Sequence, residues 1–232
     1  MKSVQQSLGL ASPPVAIAFL PGVPAGLDRW SGGVVPAGCA FWRAAMQGRT
    51  FFTLPEDHYN CAVGSHTHAI PLPADRAGEL EQTVGFMVAN QYLEMKEVPG
   101  IPVLAASPAA IAYGPVEQTA FAPDVVVVAA TPGQAMILYE AALRAGAGNA
   151  LTNTLGRPGC AALPLTAQGG SAVLSFGCKG NRTFVGLPDS EMYFVVPGKA
   201  WPAVAEQVGV IGEANAAMSD YYSEKASLFK VI

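Results

Sequence analysis

The residues most suited to chemistry in this sequence are its four cysteines and three histidines. Gly38-Cys39-Ala40 is followed by Gln47-Gly48, and Gly159-Cys160-Ala161 is followed at the same offsets by Gln168-Gly169. Each copy leads to another cysteine with glycine nearby: Cys61, 22 residues after Cys39, with Gly64, and Cys178, 18 residues after Cys160, between Gly177 and Gly180. The pattern predicts two related half-modules that supply two thiols each. In both copies the first cysteine precedes a segment with helical character, Ala40 to Gln47 and Ala161 to Gln168, with Pro164 limiting the second to about a turn. A thiol at a helix N-terminus faces unpaired N–H groups and the positive end of the dipole, which favours thiolate, the metal-binding form. A neighbouring glycine lets backbone N–H groups approach sulfur.

All the histidines surround one of these cysteines, in the order His58, Cys61, His66, His68. Imidazole with thiolate suits zinc, iron or copper rather than magnesium or calcium. No Cys-x2-Cys pair occurs, so neither a zinc ribbon nor a ferredoxin motif is present. Farther on, Cys178-Lys179-Gly180-Asn181-Arg182 forms a basic, glycine-bounded turn. Lys179, Asn181 and Arg182 could bind the anionic end of a substrate; the alternative is a structural turn in which Arg182 pairs with Asp189 or Glu191.

These residues lead to three readings. The first is a metal-centre protein in which Cys39, Cys61, Cys160 and Cys178 hold an iron–sulfur cluster of [4Fe–4S] type, with a redox or electron-transfer role near a small anionic substrate. The second is a non-redox zinc or small-molecule binding protein that uses Cys61 with His58, His66 and His68. In the third, the cysteines are core packing, as small buried side chains, and the pocket is a carrier site for an organic ligand.

Val15 to Leu20 and Val125 to Ala130 are short apolar runs bounded by Pro and Gly, which predicts central strands covered on both faces. Val173 to Phe176 and Tyr193 to Val196 predict further strands. Asp75 to Met95 carries Leu80, Val84, Met87, Val88 and Tyr92 at helical spacing and stops before Pro99-Gly100. Gly133 to Arg144 and Trp201 to Asn215 predict helices, the latter with Pro202 in its first turn, and Ala214 to Phe229 another. The expected fold is α/β or mixed α+β, a single domain over 1–232 with two pseudo-repeated halves around a central mixed sheet.

The composition limits the partners. Of 232 residues 51% are hydrophobic and only 13% charged, against roughly a quarter charged in ordinary domains, which leads us to expect a homodimer. A net charge of -4 with scattered Lys and Arg argues against nucleic acid. Pro13-Pro14 interrupts the apolar stretch from Leu8 to Leu20, and no run reaches the length of a membrane span. A cytoplasmic protein with reduced thiols is expected, its partner a small-molecule ligand or a redox protein.

The sequence also resembles a known family, the bacterial and archaeal domain of unknown function 169. The likeness lies in Pro14-Val-Ala-Ile-Ala-Phe19, Gly38-Cys39 through Gly48, Asn60-Cys61-x2-Gly64, Pro123-Asp124-Val-Val-Val127, Gln134-x-Met136, Cys160-Ala161, and Phe176-Gly-Cys178-x-Gly180-Asn-Arg182 with Glu191-Met192. The resemblance implies a single domain spanning nearly the whole chain, with all four cysteines in the family's places, and implies no activity.

Overall fold

A computed structural model describes residues 2–150 and 154–229. Its strands are β1 (Val15–Leu20), β2 (Phe51–Thr53), β3 (Ala110–Pro115), β4 (Val125–Ala130), β5 (Thr154–Leu155), β6 (Val173–Ser175) and β7 (Met192–Pro197). They form one seven-stranded sheet in the order β2-β3-β1-β4-β7-β6-β5. Every pairing is antiparallel except β5 with β6. This is the expected mixed α/β architecture.

The internal echo in the sequence is a structural repeat. β1 pairs β3 with Val15 opposite Pro115 and Leu20 opposite Ala110. β4 pairs β7 in the same register, Val125 opposite Pro197 and Ala130 opposite Met192. The three-residue strands follow suit. Phe51 to Thr53 lie opposite Tyr113 to Ile111, and Val173 to Ser175 opposite Val195 to Tyr193, which are the fourth to second residues of β3 and β7. Even the closing bonds match: Val116 N–H donates to Pro14 O at 2.9 Å and Gly198 N–H to Asp124 O at 2.8 Å. The halves meet where β1 and β4 run antiparallel, with Ala16 opposite Val126 at the centre.

Helices cover both faces. On one face lie α2 (Cys39–Met46) and α6 (Ala162–Gly169), the helices that follow the two Gly-Cys-Ala motifs. They bury Phe41, Trp42 and Leu163 against Val15, Ile17, Val125, Val127, Tyr193 and Val195. Pro164 does not end α6 because it sits in the first turn, where a missing N–H breaks no intrahelical bond. The helix therefore runs for 8 residues, longer than its proline suggests.

On the other face α5 (Pro132–Arg144) and α7 (Trp201–Ser227) bury Leu138, Trp201, Val204, Val208 and Ile211 against Val126, Val128, Phe194 and Val196. A capping box between Thr131 and Gln134 starts α5, and the Gln134 amide also donates to Leu8 O and Gly9 O, tying down the short α1 (Val4–Leu8). β4 is buried along its whole length, and each fully buried valine contributes roughly 1.5–3 kcal/mol.

Three expectations are corrected. The two predicted C-terminal helices are one, because nothing between Asn215 and Ser219 breaks the helix. The predicted helix from 75 to 95 divides into a turn at Ala74–Arg76 and α4 (Glu79–Ala89), followed by a turn at Met95–Gly100. Gln91, at φ 57°, takes a left-handed conformation that ends the helical path. The strands β2 and β3 were not expected from the pattern.

Candidate functional site

Each cysteine stands at a chain reversal that its neighbours enforce. Cys39 is the first residue of α2. A side chain on Gly38 would place its Cβ 2.8 Å from His58 Nδ1, so glycine is required for the two segments to touch. Cys61 caps α3 (Ala62–Thr67), its sulfur accepting from Gly64 N–H at 3.3 Å. Cys160 lies in the turn Gly159–Ala161 before α6, with Sγ 3.4 Å from Thr67 Oγ1. Cys178 N–H donates to Oδ1 of the buried Asn181 at 2.8 Å, and a side chain on Gly159 would collide with that same oxygen.

All four cysteines line one cavity of about 820 Å³. This volume falls within the range of small-molecule sites. The walls come from 36–39, 60–68, α4, 92–101, 157–160 and 178–184. α4 contributes Leu80, Val84 and Met87, and none of its residues is buried. Three large apolar side chains of the wall are mostly open to solvent: Phe86 at 70%, Met95 at 59% and Phe184 at 52%. Tyr92 joins the halves by accepting from Lys179 N–H at 3.2 Å and lying under the Arg157 guanidinium, 5.1 Å from its centroid.

Burial weakens Cys39, Cys61 and Cys160 as acids. Burial pushes Cys39 up to about 12, with nearby Cys178 and Cys61 adding to the rise. Cys160 is raised well above the ordinary value and Cys61 is raised, again chiefly by burial. Desolvation outweighs the helix-terminus effect that led to the expectation of thiolate. None of the four is in a disulfide.

His58 and His68 are buried, each 2% exposed, rather than part of a polar surface loop, while His66 is half-buried in the cavity wall. Burial, and then His68, pulls His58 down to about 3, and burial lowers His68. Their rings lie 5.8 Å apart, and His58 Nε2 is 2.8 Å from Thr53 Oγ1.

The metal-centre reading is overturned by this arrangement. Among the described residues no three His, Cys, Asp or Glu side chains gather closely enough to hold a metal ion. Cys39, Cys61, Cys160 and Cys178 all line the cavity, yet no three of them, with or without a histidine or carboxylate, make such a group. The expected [4Fe–4S] cluster, with the redox role it would carry, therefore loses its ligand set. So does the zinc alternative at Cys61, His58, His66 and His68.

Lys179 and Asn181 line the cavity, but Arg182 does not appear in its wall. The Arg182 guanidinium donates to Pro188 O at 2.6 Å and Phe176 O at 2.8 Å and lies 3.3 Å from Asp189 Oδ1. Those bonds close the turn from 176 to 189. Sequence reasoning missed the role of α4. Its stripe of Leu80, Val84 and Met87 was legible as a helix face, but a core face and a cavity face have the same spacing.

No curated protein matches the chain, and no solved structure does. One family model, described as uncharacterised ArCR, matches residues 3–207. The chain belongs to the DUF169 family.

Proposed function

We propose that the protein binds a small apolar organic molecule in the thiol-lined cavity. The observation that carries this reading is α4: an apolar stripe of Leu80, Val84 and Met87 faces the cavity on a helix that buries no residue. A ligand would cover that stripe and the exposed rings of Phe86 and Phe184. The thiols of Cys39, Cys61 and Cys160, which burial keeps protonated, suit such a site, since an un-ionised cysteine behaves as a small, polarisable hydrophobe.

Nile red tests the proposal. Its fluorescence should rise on binding to the wild-type protein, and saturating dye should raise the melting temperature; at 100 times its Kd a ligand adds about 2.7 kcal/mol of stability. Met87→Glu places a charge in the cavity wall and should remove most of this binding while the protein stays folded. Dye binding that is absent, or that Met87→Glu leaves unchanged, would overturn the reading.

A reducing compartment, the cytoplasm, would keep the thiols free. No helix among the described residues is long and apolar enough to cross a membrane. The homodimer expected from the low charge would use the exposed Val210, Met218, Tyr221 and Tyr222 of α7, with a second copy of the chain as partner. Light scattering at micromolar concentration should then give twice the 24.0 kDa chain mass, and a monomer would remove this part of the proposal.

A further inference from the structure

Among the described residues, three buried side-chain polar atoms have no hydrogen-bond partner: His68 Nε2, Tyr113 Oη and Thr166 Oγ1. Of the three residues, His68 is the one that lines the cavity. The state of its ring follows from its other nitrogen. His68 Nδ1 is 2.7 Å from Gly64 O, and a carbonyl can only accept, so Nδ1 carries a proton and donates it. Burial disfavours the doubly protonated ring. Nε2 is therefore left with a lone pair and nothing to fill it, in a site packed edge-on against Phe19, with ring centroids 5.9 Å apart. A buried acceptor without a donor is destabilising, and a donor arriving with a ligand would relieve that cost.

We infer that His68 Nε2 is the polar recognition point of the cavity and accepts a hydrogen bond from a hydroxyl group on an otherwise apolar ligand, an alcohol or a phenol. This inference rests on the cavity being a ligand site and names the class of molecule it takes. The segment from Asn60 to His68 thus brings an unpartnered neutral acceptor to a residue of the cavity wall. Gly64 O also accepts from Thr67 Oγ1 at 2.9 Å and from His68 N–H at 3.2 Å, so that carbonyl keeps its partners if the imidazole is replaced.

The test compares 4-phenylphenol with 4-methoxybiphenyl, which has the same rings and no hydroxyl proton. The wild-type protein should bind the phenol about tenfold more tightly, the value of one well-made hydrogen bond. In His68→Phe that preference should fall to about one while both compounds still bind. A second measurement needs no variant: in protein labelled with 15N-histidine, His68 should show the Nδ1-protonated tautomer, and its Nε2 resonance should move on adding the phenol and stay with the ether. Equal binding of the two compounds, or an Nε2 resonance indifferent to the phenol, would overturn the inference while leaving the cavity as an apolar site. Failure of both compounds and of Nile red to bind would overturn the cavity reading along with it.

Discussion

The two halves of the molecule share strand lengths, strand registers and a Gly-Cys-Ala helix start, but differ in what joins the short strand to the long one. In the second half residues 176–191 make a compact turn around Asn181 and Arg182. In the first half residues 54–109 intervene, and they carry His58, Cys61, α3, His68 and α4. The opposite face reverses the contrast: α5 follows β4, whereas the segment after β1 forms no helix before α2. The shared frame sets two cysteines from each half around one cavity. The long connection supplies that cavity with its free acceptor and its uncovered apolar helix, so recognition is concentrated in the half that departs from the repeat.

The largest effect should come where the repeat has only one solution in one half. Val116 and Gly198 occupy equivalent corners, yet a Cβ on Gly198 would drive into the carbonyl of Pro123, backbone that cannot turn aside. Gly198→Ala should cost about 3 kcal/mol or more and lower the melting temperature by about 10 °C. A melting temperature within a degree of wild type would show that the corner relaxes and that the halves are less alike than their registers.

Next come the paired helices. Trp42 in α2 and Leu163 in α6 stand three residues after their equivalent cysteines, both fully packed against the same sheet face. The Trp42 ring also reaches across to Tyr193 in the second half, edge to face at 5.2 Å. Trp42→Ala should cost about 3 kcal/mol and Leu163→Ala about 2 kcal/mol in denaturant unfolding. A larger loss at Leu163 would mean that the bridge between halves is not where the stability lies.

The sequence carried the frame more clearly than the site. Val15 to Leu20 and Val125 to Ala130 stand out because a strand buried on both faces has no polar positions to interrupt it. β3 escaped notice because Ala110, Ala112 and Gly114 dilute its hydrophobicity; small side chains are what the close packing there allows. The cysteine echo located the cavity but misled about its chemistry. Sequence spacing shows that four thiols can meet, whereas thiolate formation depends on desolvation, which only the packed structure reveals. The burial of His58 and His68 was hidden for the same reason.

A smaller effect separates the halves by pH, since the histidines belong to the first half alone. Burial holds His58 neutral in the folded chain well below the ordinary imidazole value and lowers His68 as well, while the unfolded chain takes up protons there as pH falls. Stability is therefore fully present above about pH 6.5 and declines below it, for His58 by about 1.4 kcal/mol per pH unit down toward its folded value near 3, with His68 adding to the loss in the same direction. Urea unfolding at pH 7, 6 and 5 should show this slope, and His68→Phe should flatten it. An unchanged slope in that variant would place the acid sensitivity elsewhere, in His58 alone or in the carboxylates of the surface ion pairs.

The smallest effect should fall on the element that most distinguishes the halves. Val84 in α4 and Leu163 in α6 both occupy apolar helix faces, but Leu163 is fully buried by the sheet and Val84 faces the cavity from a helix that buries nothing. Val84→Gln should change the unfolding free energy of the ligand-free protein by about 0.5 kcal/mol or less, as at surface positions. With saturating Nile red the comparison should change: wild type gains stability by mass action, the variant gains less, and the difference between them measures how much of the helix's packing the ligand supplies. A large loss in the ligand-free protein would instead make α4 part of the core, and the cavity a packing defect between two halves rather than a place where a third molecule belongs.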